Sequence, residues 1–328
     1  MRRKGAHARG AAPRRSRQRW SPAERALLLV VALLLAATAC TGASAPDEPA
    51  ITTVADGTGP AATPGTVAAE RPLVAVSTPL VGALVRSVAG DQVDVQLLGG
   101  VGVDPDRAAL IVRIDEEPTA AGSGDGSPAD VLLLAPQLNP VPLGGSELDP
   151  SAAEGTTVTD PHVWLDPDRW TQAARLVTDR LGELPGIDAA ALAANVAAFD
   201  EAASRADETL QASFASVPDD QRVLVSDLPA LTYLADRYGF ELVLAEGAEA
   251  LAAAASAAGV GIVLVSPERQ ATLGAELAGA DPGVAVVGID LEGTELVDAL
   301  DGSAEQATLA YSDLLITASA TIVGALDT

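Results

Sequence analysis

The chain has 328 residues, with 45 Asp and Glu against 20 Lys and Arg, a formal net charge of −25 at pH 7, and one cysteine. So acidic a chain is a poor electrostatic partner for nucleic acid or an anionic lipid surface, and we expect neither as a ligand. A single cysteine leaves no disulfide within the chain.

The N-terminal segment has the pattern of a secretory signal. Nine of the first 25 residues are Lys or Arg, and an apolar run of 14 residues, 26–39, follows. This run is too short to span a hydrocarbon core about 30 Å thick as a helix. It ends in Ala37-Thr38-Ala39-Cys40, which resembles a bacterial lipobox. We predict that 1–39 is a signal peptide and that Cys40 is lipidated, which anchors the protein at the extracytoplasmic face of the plasma membrane.

The segment after Cys40 is rich in Ala, Gly, Pro, Thr and Ser and nearly free of large apolar residues. It cannot bury enough surface to offset the entropy lost on ordering. We therefore predict a lipidated cysteine and disordered tether over 40–72, with folded structure from Leu73.

Residues 73–186 are predicted to form an N-terminal α/β lobe. Valine-rich runs indicate strands at 73–78, 93–97 and 131–134, and a helix begins at Pro79 and ends at Gly90. Residues 108–114 fit either a helix or a strand. The stretch 136–159 has four prolines and little periodicity, and the pattern assigns it no element.

The next helix begins at Asp166, a good N-cap followed by proline at the first helical position. His162 therefore lies in a loop just before a helix. It is the only histidine besides His7, which falls in the predicted signal peptide, so any imidazole site in the mature protein depends on it. A single histidine is more often an ordinary core or loop residue, and that alternative stays open here.

The second half of the chain follows a regular pattern. A long helix is predicted at 188–214, inside a connecting segment 187–216, and 217–328 is predicted as a C-terminal α/β lobe. Strands at 223–225, 240–245, 260–265 and 284–289 alternate with helices at 229–238, 248–258, 268–278 and 304–326. This alternation is typical of a parallel sheet, in which ligands lie beyond the carboxyl ends of the strands. Ser226, Asp227, Ser266 and Asp290 are predicted at that edge.

Four sequence motifs in this order resemble one family. They are Val-Ala-Val-Ser-Thr-Pro at 74–79, Gly-Val-Asp-Pro at 102–105, Asp-Pro-His-Val-Trp-Leu-Asp-Pro at 160–167 and Pro-Ala-Leu-Thr-Tyr-Leu-Ala-Asp-Arg-Tyr-Gly at 229–239. With the lipobox, they resemble the substrate-binding lipoproteins of bacterial ABC importers (cluster A-I) that capture zinc or manganese. The resemblance implies a monomer of two α/β lobes with mostly parallel sheets, joined by one long rigid helix. It also implies a divalent metal ion held between the lobes and delivered to an integral-membrane permease.

The resemblance also implies a depleted set of metal ligands. The first family histidine is matched by Asp106, the second is kept as His162, and the third is matched by Leu228. A family glutamate is matched by Ser266, and the last carboxylate by Asp290. We predict His162, Asp290 and Asp106 as the metal ligands, a harder and weaker set than one rich in histidine, with binding that weakens below about pH 6.

Two other functions remain as alternatives. The depleted ligands also fit a divergent member that has lost metal binding and acts as a surface interaction or structural lipoprotein. An enzyme is not expected, because the sequence has no Gly-x-Ser-x-Gly elbow and no phosphate loop ending in Gly-Lys, and Cys40 is predicted to be acylated.

Overall fold

The computed structural model describes residues 70–100, 104–115, 130–142, 159–281 and 283–327. These residues belong to one compact unit, Thr66–Thr328. The predicted signal peptide, Cys40 and almost all of the predicted tether lie outside the described residues.

The N-terminal lobe is built on a parallel sheet. Its elements are β1 (Leu73–Val76), α1 (Pro79–Ala89), β2 (Asp94–Leu97), β3 (Leu110–Arg113) and β4 (Asp130–Leu133). The strand order is β2-β1-β3-β4, and every pair is parallel. All four residues of β3 are buried, between β1 and β4. A strand covered on both faces has no alternation of polar and apolar residues, which is why its sequence also fitted a helix.

Two helices lead from the N-terminal lobe to the C-terminal lobe. They are α2 (Pro167–Gly182) and α3 (Ala189–Phe214). The Asp166 side chain caps α2 by accepting a hydrogen bond from the Asp168 N–H, and Asp188 caps α3 in the same way. The 26 residues of α3 give it a length of about 39 Å, enough to run along both lobes.

The C-terminal lobe repeats the same design. Its elements are β5 (Val223–Ser226), α4 (Leu231–Tyr238), β6 (Glu241–Leu244), α5 (Ala248–Ala258), β7 (Ile262–Val265), α6 (Pro267–Ala280), β8 (Ala285–Gly288) and α7 (Ala304–Leu326). Its strands are all parallel, in the order β6-β5-β7-β8. Two α/β lobes with a long connecting helix are the fold expected from the sequence.

One apolar core runs through both lobes. Helix α1 of the N-terminal lobe packs against α7 and against a 3-10 turn, Thr294–Leu300, of the C-terminal lobe, and α3 packs against α7 as well. The core therefore holds buried side chains from both sheets, such as Val76 and Leu224. Wide separation of the lobes would expose this shared surface to water, at a cost of about 25 cal/mol for each Å² of apolar area.

Helix α7 is long and apolar enough to cross a membrane by length and composition alone. Its Tyr311, Leu315 and Ile322 side chains are buried in the shared core. In this structure α7 is therefore a core helix of the C-terminal lobe.

Arg237 joins three parts of the molecule. From α4 it donates to both carboxylate oxygens of Asp207 on α3, and to Asp166 and Asp168 at the start of α2, each at 2.8 Å. The Tyr238 hydroxyl also donates to Asp207. Burial alone would raise the pKa of Asp207, but the hydrogen bonds from Arg237 and Tyr238 lower it below its usual value. The network therefore stabilises the charged form of Asp207 and fixes both lobes to α3.

We expect Arg237→Ala to lower the free energy of unfolding by roughly 3 kcal/mol or more, because it leaves the largely buried carboxylate of Asp207 without its cation. The matched control is Arg205→Ala, which removes an arginine paired with the exposed Glu201 and should cost less than about 1 kcal/mol. Denaturant unfolding measures both. Equal losses in the two variants would contradict a special role for the Arg237 network.

Candidate metal centre

His162 lies between a short antiparallel bridge and the start of α2. The bridge pairs Pro142 with Thr159, and a 3-10 turn, Val163–Leu165, follows His162. The backbone of this segment is held from the C-terminal lobe by the Tyr233 hydroxyl of α4. That hydroxyl donates to the Asp160 carbonyl at 2.8 Å and accepts from the Val141 N–H at 3.0 Å. The segment is therefore fixed by both lobes.

Asp160 fixes the orientation of the His162 ring. One carboxylate oxygen, Oδ1, accepts from the His162 backbone N–H at 3.0 Å and lies 2.5 Å from its ring Nδ1. The Asp160 side chain is 1% exposed, and its other oxygen has no hydrogen-bond partner among the described residues. A carboxylate bound to one ring nitrogen is the usual partner of a metal-ligating histidine, because it sets the tautomer and directs the other nitrogen toward the metal. Asp160 was not among the site residues predicted from the sequence.

The second ring nitrogen of His162 faces a carboxylate of the C-terminal lobe. Nε2 lies 3.3 Å from Glu292 Oε1, and the two side chains are 20% and 58% exposed. Glu292 was not among the predicted ligands, because the family resemblance places the carboxylate at Asp290, two residues earlier. The only sequence feature that points to Glu292 is its position shortly after the end of β8.

The two carboxylates change the protonation of His162. Burial by itself lowers the pKa of the imidazole, but hydrogen bonds and charges from Asp160 and Glu292 outweigh it and raise the pKa to about 9. At pH 7 the ring of the metal-free protein is therefore protonated and positively charged.

Asp290 shapes the turn that presents Glu292. Its Oδ1 accepts from the backbone N–H groups of Glu292 and Gly293, at 3.0 and 3.2 Å, and its Oδ2 lies 3.3 Å from the Thr294 hydroxyl. Gly293 has a φ of +62°, a conformation that glycine adopts without strain. The structure thus uses Asp290 to build a turn.

Asp106 lies on the surface, in the 3-10 turn Pro105–Arg107, where its backbone N–H donates to the Asp104 side chain. No hydrogen bond or ion pair joins Asp106 to His162 among the described residues. Over the same part of the chain, no three His, Cys, Asp or Glu side chains lie close enough together to hold a metal ion. The three predicted ligands therefore do not meet in the described structure. His162 instead contacts Glu292, a carboxylate of the opposite lobe that was not predicted.

The position of the third family histidine is apolar here. Leu228 packs against the shared core, and its backbone N–H donates to the buried Ser226 hydroxyl at 2.9 Å. The neighbouring Asp227 is almost fully buried and forms an ion pair with Arg269 at the start of α6. This side of the C-terminal lobe therefore offers a neutralised carboxylate and an apolar side chain.

The distance between His162 and Glu292 fits a metal ion between them. Zinc–nitrogen and zinc–oxygen bonds of about 2.0–2.2 Å, at a tetrahedral angle, place the two ligand atoms about 3.4 Å apart. The observed separation of Nε2 and Oε1 is 3.3 Å. The pair can therefore act either as a direct hydrogen bond or as two ligands of one cation.

Comparison with known proteins bears on this fold and site. Residues 74–265 match the model of the family described as zinc-uptake complex component A, periplasmic. The match covers more than half of the chain. The chain belongs to this family.

Two curated relatives share part of the family sequence. The zinc-binding protein TroA of Treponema pallidum is 26% identical over 184 residues, which are 52% of this chain and 59% of TroA. The manganese-binding lipoprotein MntA of Halalkalibacterium halodurans is 26% identical over 117 residues, 36% of each protein. The chain thus aligns with less than two thirds of the length of either relative.

Solved structures show the same fold over a longer stretch. The structure of TroA covers 78% of this chain and 99% of its own, with a TM-score of 0.56 and 21% identity. A manganese-bound periplasmic metal-binding protein from Candidatus Liberibacter asiaticus covers 78% of this chain and 100% of its own, with a TM-score of 0.58 and 17% identity. At such identities, the likeness establishes the two-lobed fold.

We expect the stability that His162 contributes to be lost at high pH. Its folded-state pKa of about 9 lies above the ordinary value of 6.5. The protonated ring therefore contributes its full stability below pH 6.5, and this contribution disappears as pH rises through about 9. The largest contribution to the free energy of unfolding is on the order of 3 kcal/mol. Urea unfolding of wild type and His162→Gln measures it. The stability difference should be largest near pH 6 and should shrink near pH 10; a difference that does not depend on pH would contradict the charged state of His162.

Proposed function

We propose that this chain is the extracytoplasmic solute-binding component of a metal importer. It captures a divalent cation, zinc or manganese, between its lobes and delivers the cation to an integral-membrane permease. Family membership supports the general role, and the zinc-binding and manganese-binding relatives support the choice of cargo.

One observation carries the assignment of the site. A histidine of the N-terminal lobe meets a carboxylate of the C-terminal lobe at 3.3 Å, and Asp160 holds the far side of the imidazole. This arrangement gives a metal one nitrogen and one oxygen ligand and a supporting carboxylate behind the nitrogen. We infer that His162 and Glu292 bind the cation, and that Asp106 and Asp290 complete the shell only if their side chains turn toward it.

Such a site suits cargo that must be released. Two protein ligands leave further positions to water, so binding should be weaker than at a structural zinc site with four protein ligands. The oxygen ligands favour a hard cation such as manganese, while the imidazole also accepts zinc. Because metal binding displaces the imidazole proton, affinity should fall as the solution becomes more acidic.

The location follows from the sequence pattern at the N-terminus. A lipidated Cys40 and the tether over 40–72 would hold the folded lobes at the outer face of the plasma membrane, close to the permease. In this proposal the protein acts as a monomer, because one chain supplies both sides of the site.

A second function is favoured by a specific observation. His162 already lies between two carboxylates, and its positive charge can take the place of a cation between the lobes. Leu228 at a family ligand position fits the same interpretation. In that case the protein is a tethered two-lobed lipoprotein that binds another protein.

Thermal unfolding with added Zn²⁺ or Mn²⁺ tests the proposed function. A cation that binds only the folded protein stabilises it by about 2.7 kcal/mol at one hundred times its Kd. We expect the melting temperature of wild type to rise, the rise to vanish in His162→Ala, and Glu292→Gln to weaken it strongly.

The matched control is Glu295→Gln, which removes the same charge from an exposed position three residues further along, in the 3-10 turn Thr294–Leu300, and should keep the metal-induced rise. An unchanged rise in both His162→Ala and Glu292→Gln would contradict the assigned site. A wild type whose melting temperature does not respond to either metal, or to Fe²⁺, would instead support the second function.

A further inference from the structure

Trp164 links the two halves of the candidate centre. Its indole N–H donates to the Leu291 carbonyl at 2.8 Å, across 127 residues of sequence. Leu291 directly precedes Glu292, and Trp164 lies two residues after His162. One hydrogen bond therefore joins the backbone beside the carboxylate to the turn that carries the imidazole.

The ring of Trp164 also contacts the imidazole itself. The centroids of the His162 and Trp164 rings are 4.9 Å apart, and the two planes are inclined by 59°. Trp164 is 4% exposed. Its ring is thus fixed by the core on one side and limits the position of the imidazole on the other.

Tyr311 of α7 holds the backbone of Trp164. The buried Tyr311 hydroxyl donates to the Trp164 carbonyl at 2.9 Å. Tyr311 stacks on Phe199 of α3, with ring centroids 5.6 Å apart. The position of Trp164 is therefore set by the C-terminal lobe and the connecting helix together.

We propose that Trp164 is a positioning residue that sets the separation of His162 and Glu292, with Tyr311 holding it in place. Only the effect on metal binding rests on the proposed function, because the correct separation allows one cation to contact both His162 and Glu292. The positioning itself exists without metal and can be tested without it.

Nuclear magnetic resonance of the histidine rings in the metal-free full chain is the test. The chain has two histidines, and His7→Gln identifies the signal of His162. The variants are Trp164→Phe, Glu292→Gln and the double variant, each titrated with pH. Trp170→Phe is the matched control, because Trp170 is a fully buried indole in the same aromatic cluster.

If Trp164 acts through Glu292, the single variants Trp164→Phe and Glu292→Gln each lower the pKa of His162, and the double variant lowers it no further than Glu292→Gln alone. Trp170→Phe lowers the melting temperature and leaves the pKa of His162 unchanged. An unchanged pKa in Trp164→Phe, or additive decreases in the double variant, would overturn the proposal.

Two further measurements keep the result clear. Circular dichroism verifies that Trp164→Phe is folded. If Trp164→Phe does not fold, Tyr311→Phe takes its place, because this variant keeps the aromatic ring and removes only the hydroxyl that bonds Trp164. An unchanged His162 pKa in Tyr311→Phe would overturn the proposal. Metal titration of Trp164→Phe should show at least a tenfold loss of affinity for Zn²⁺ or Mn²⁺, as expected for a residue that orients a ligand. If wild type binds no metal, the proposed function fails while the resonance data still decide the role of Trp164.

Discussion

The whole molecule depends on a buried aromatic cluster that joins the two lobes and the helix between them. Trp164 and Trp170 come from the N-terminal half, Phe199 from α3 and Tyr311 from α7, with neighbouring ring centroids 5.6–6.4 Å apart. Each such pair adds roughly 0.5–1.5 kcal/mol beyond the burial of its area. The lobes therefore share one core, which also fixes the segments that carry His162 and Glu292 next to each other.

Most of the fold could be predicted from the sequence because its elements are clearly bounded. Pro79, Pro167 and the caps Asp166 and Asp188 mark helix starts, and buried valine-rich runs mark strands. Residues 108–114 stayed ambiguous because a strand buried on both faces lacks a period of two. The pattern assigned no element to 136–159, of which the structure describes 136–142 and Thr159. The described part is held by a contact distant in sequence, because the Tyr233 hydroxyl bonds both Val141 and Asp160.

The candidate centre could be predicted only in part. His162 was found because histidine is so rare in this chain. Glu292 was missed because Asp290 and Glu292 both follow β8, and the sequence does not show which of the two carboxylates faces the other lobe. Asp290 matches the family ligand position, but its side chain accepts hydrogen bonds from the backbone of the turn. Sequence gives the residue types near the end of β8, but the direction of each side chain is set by the turn around Gly293.

Anomalous diffraction from crystals grown with Mn²⁺ or Zn²⁺ would show directly whether His162 and Glu292 hold a cation between the lobes, as we propose. We expect a single metal peak within about 2.0–2.2 Å of His162 Nε2 and of a Glu292 oxygen. A metal bound elsewhere, with the imidazole still hydrogen-bonded directly to Glu292, would contradict it.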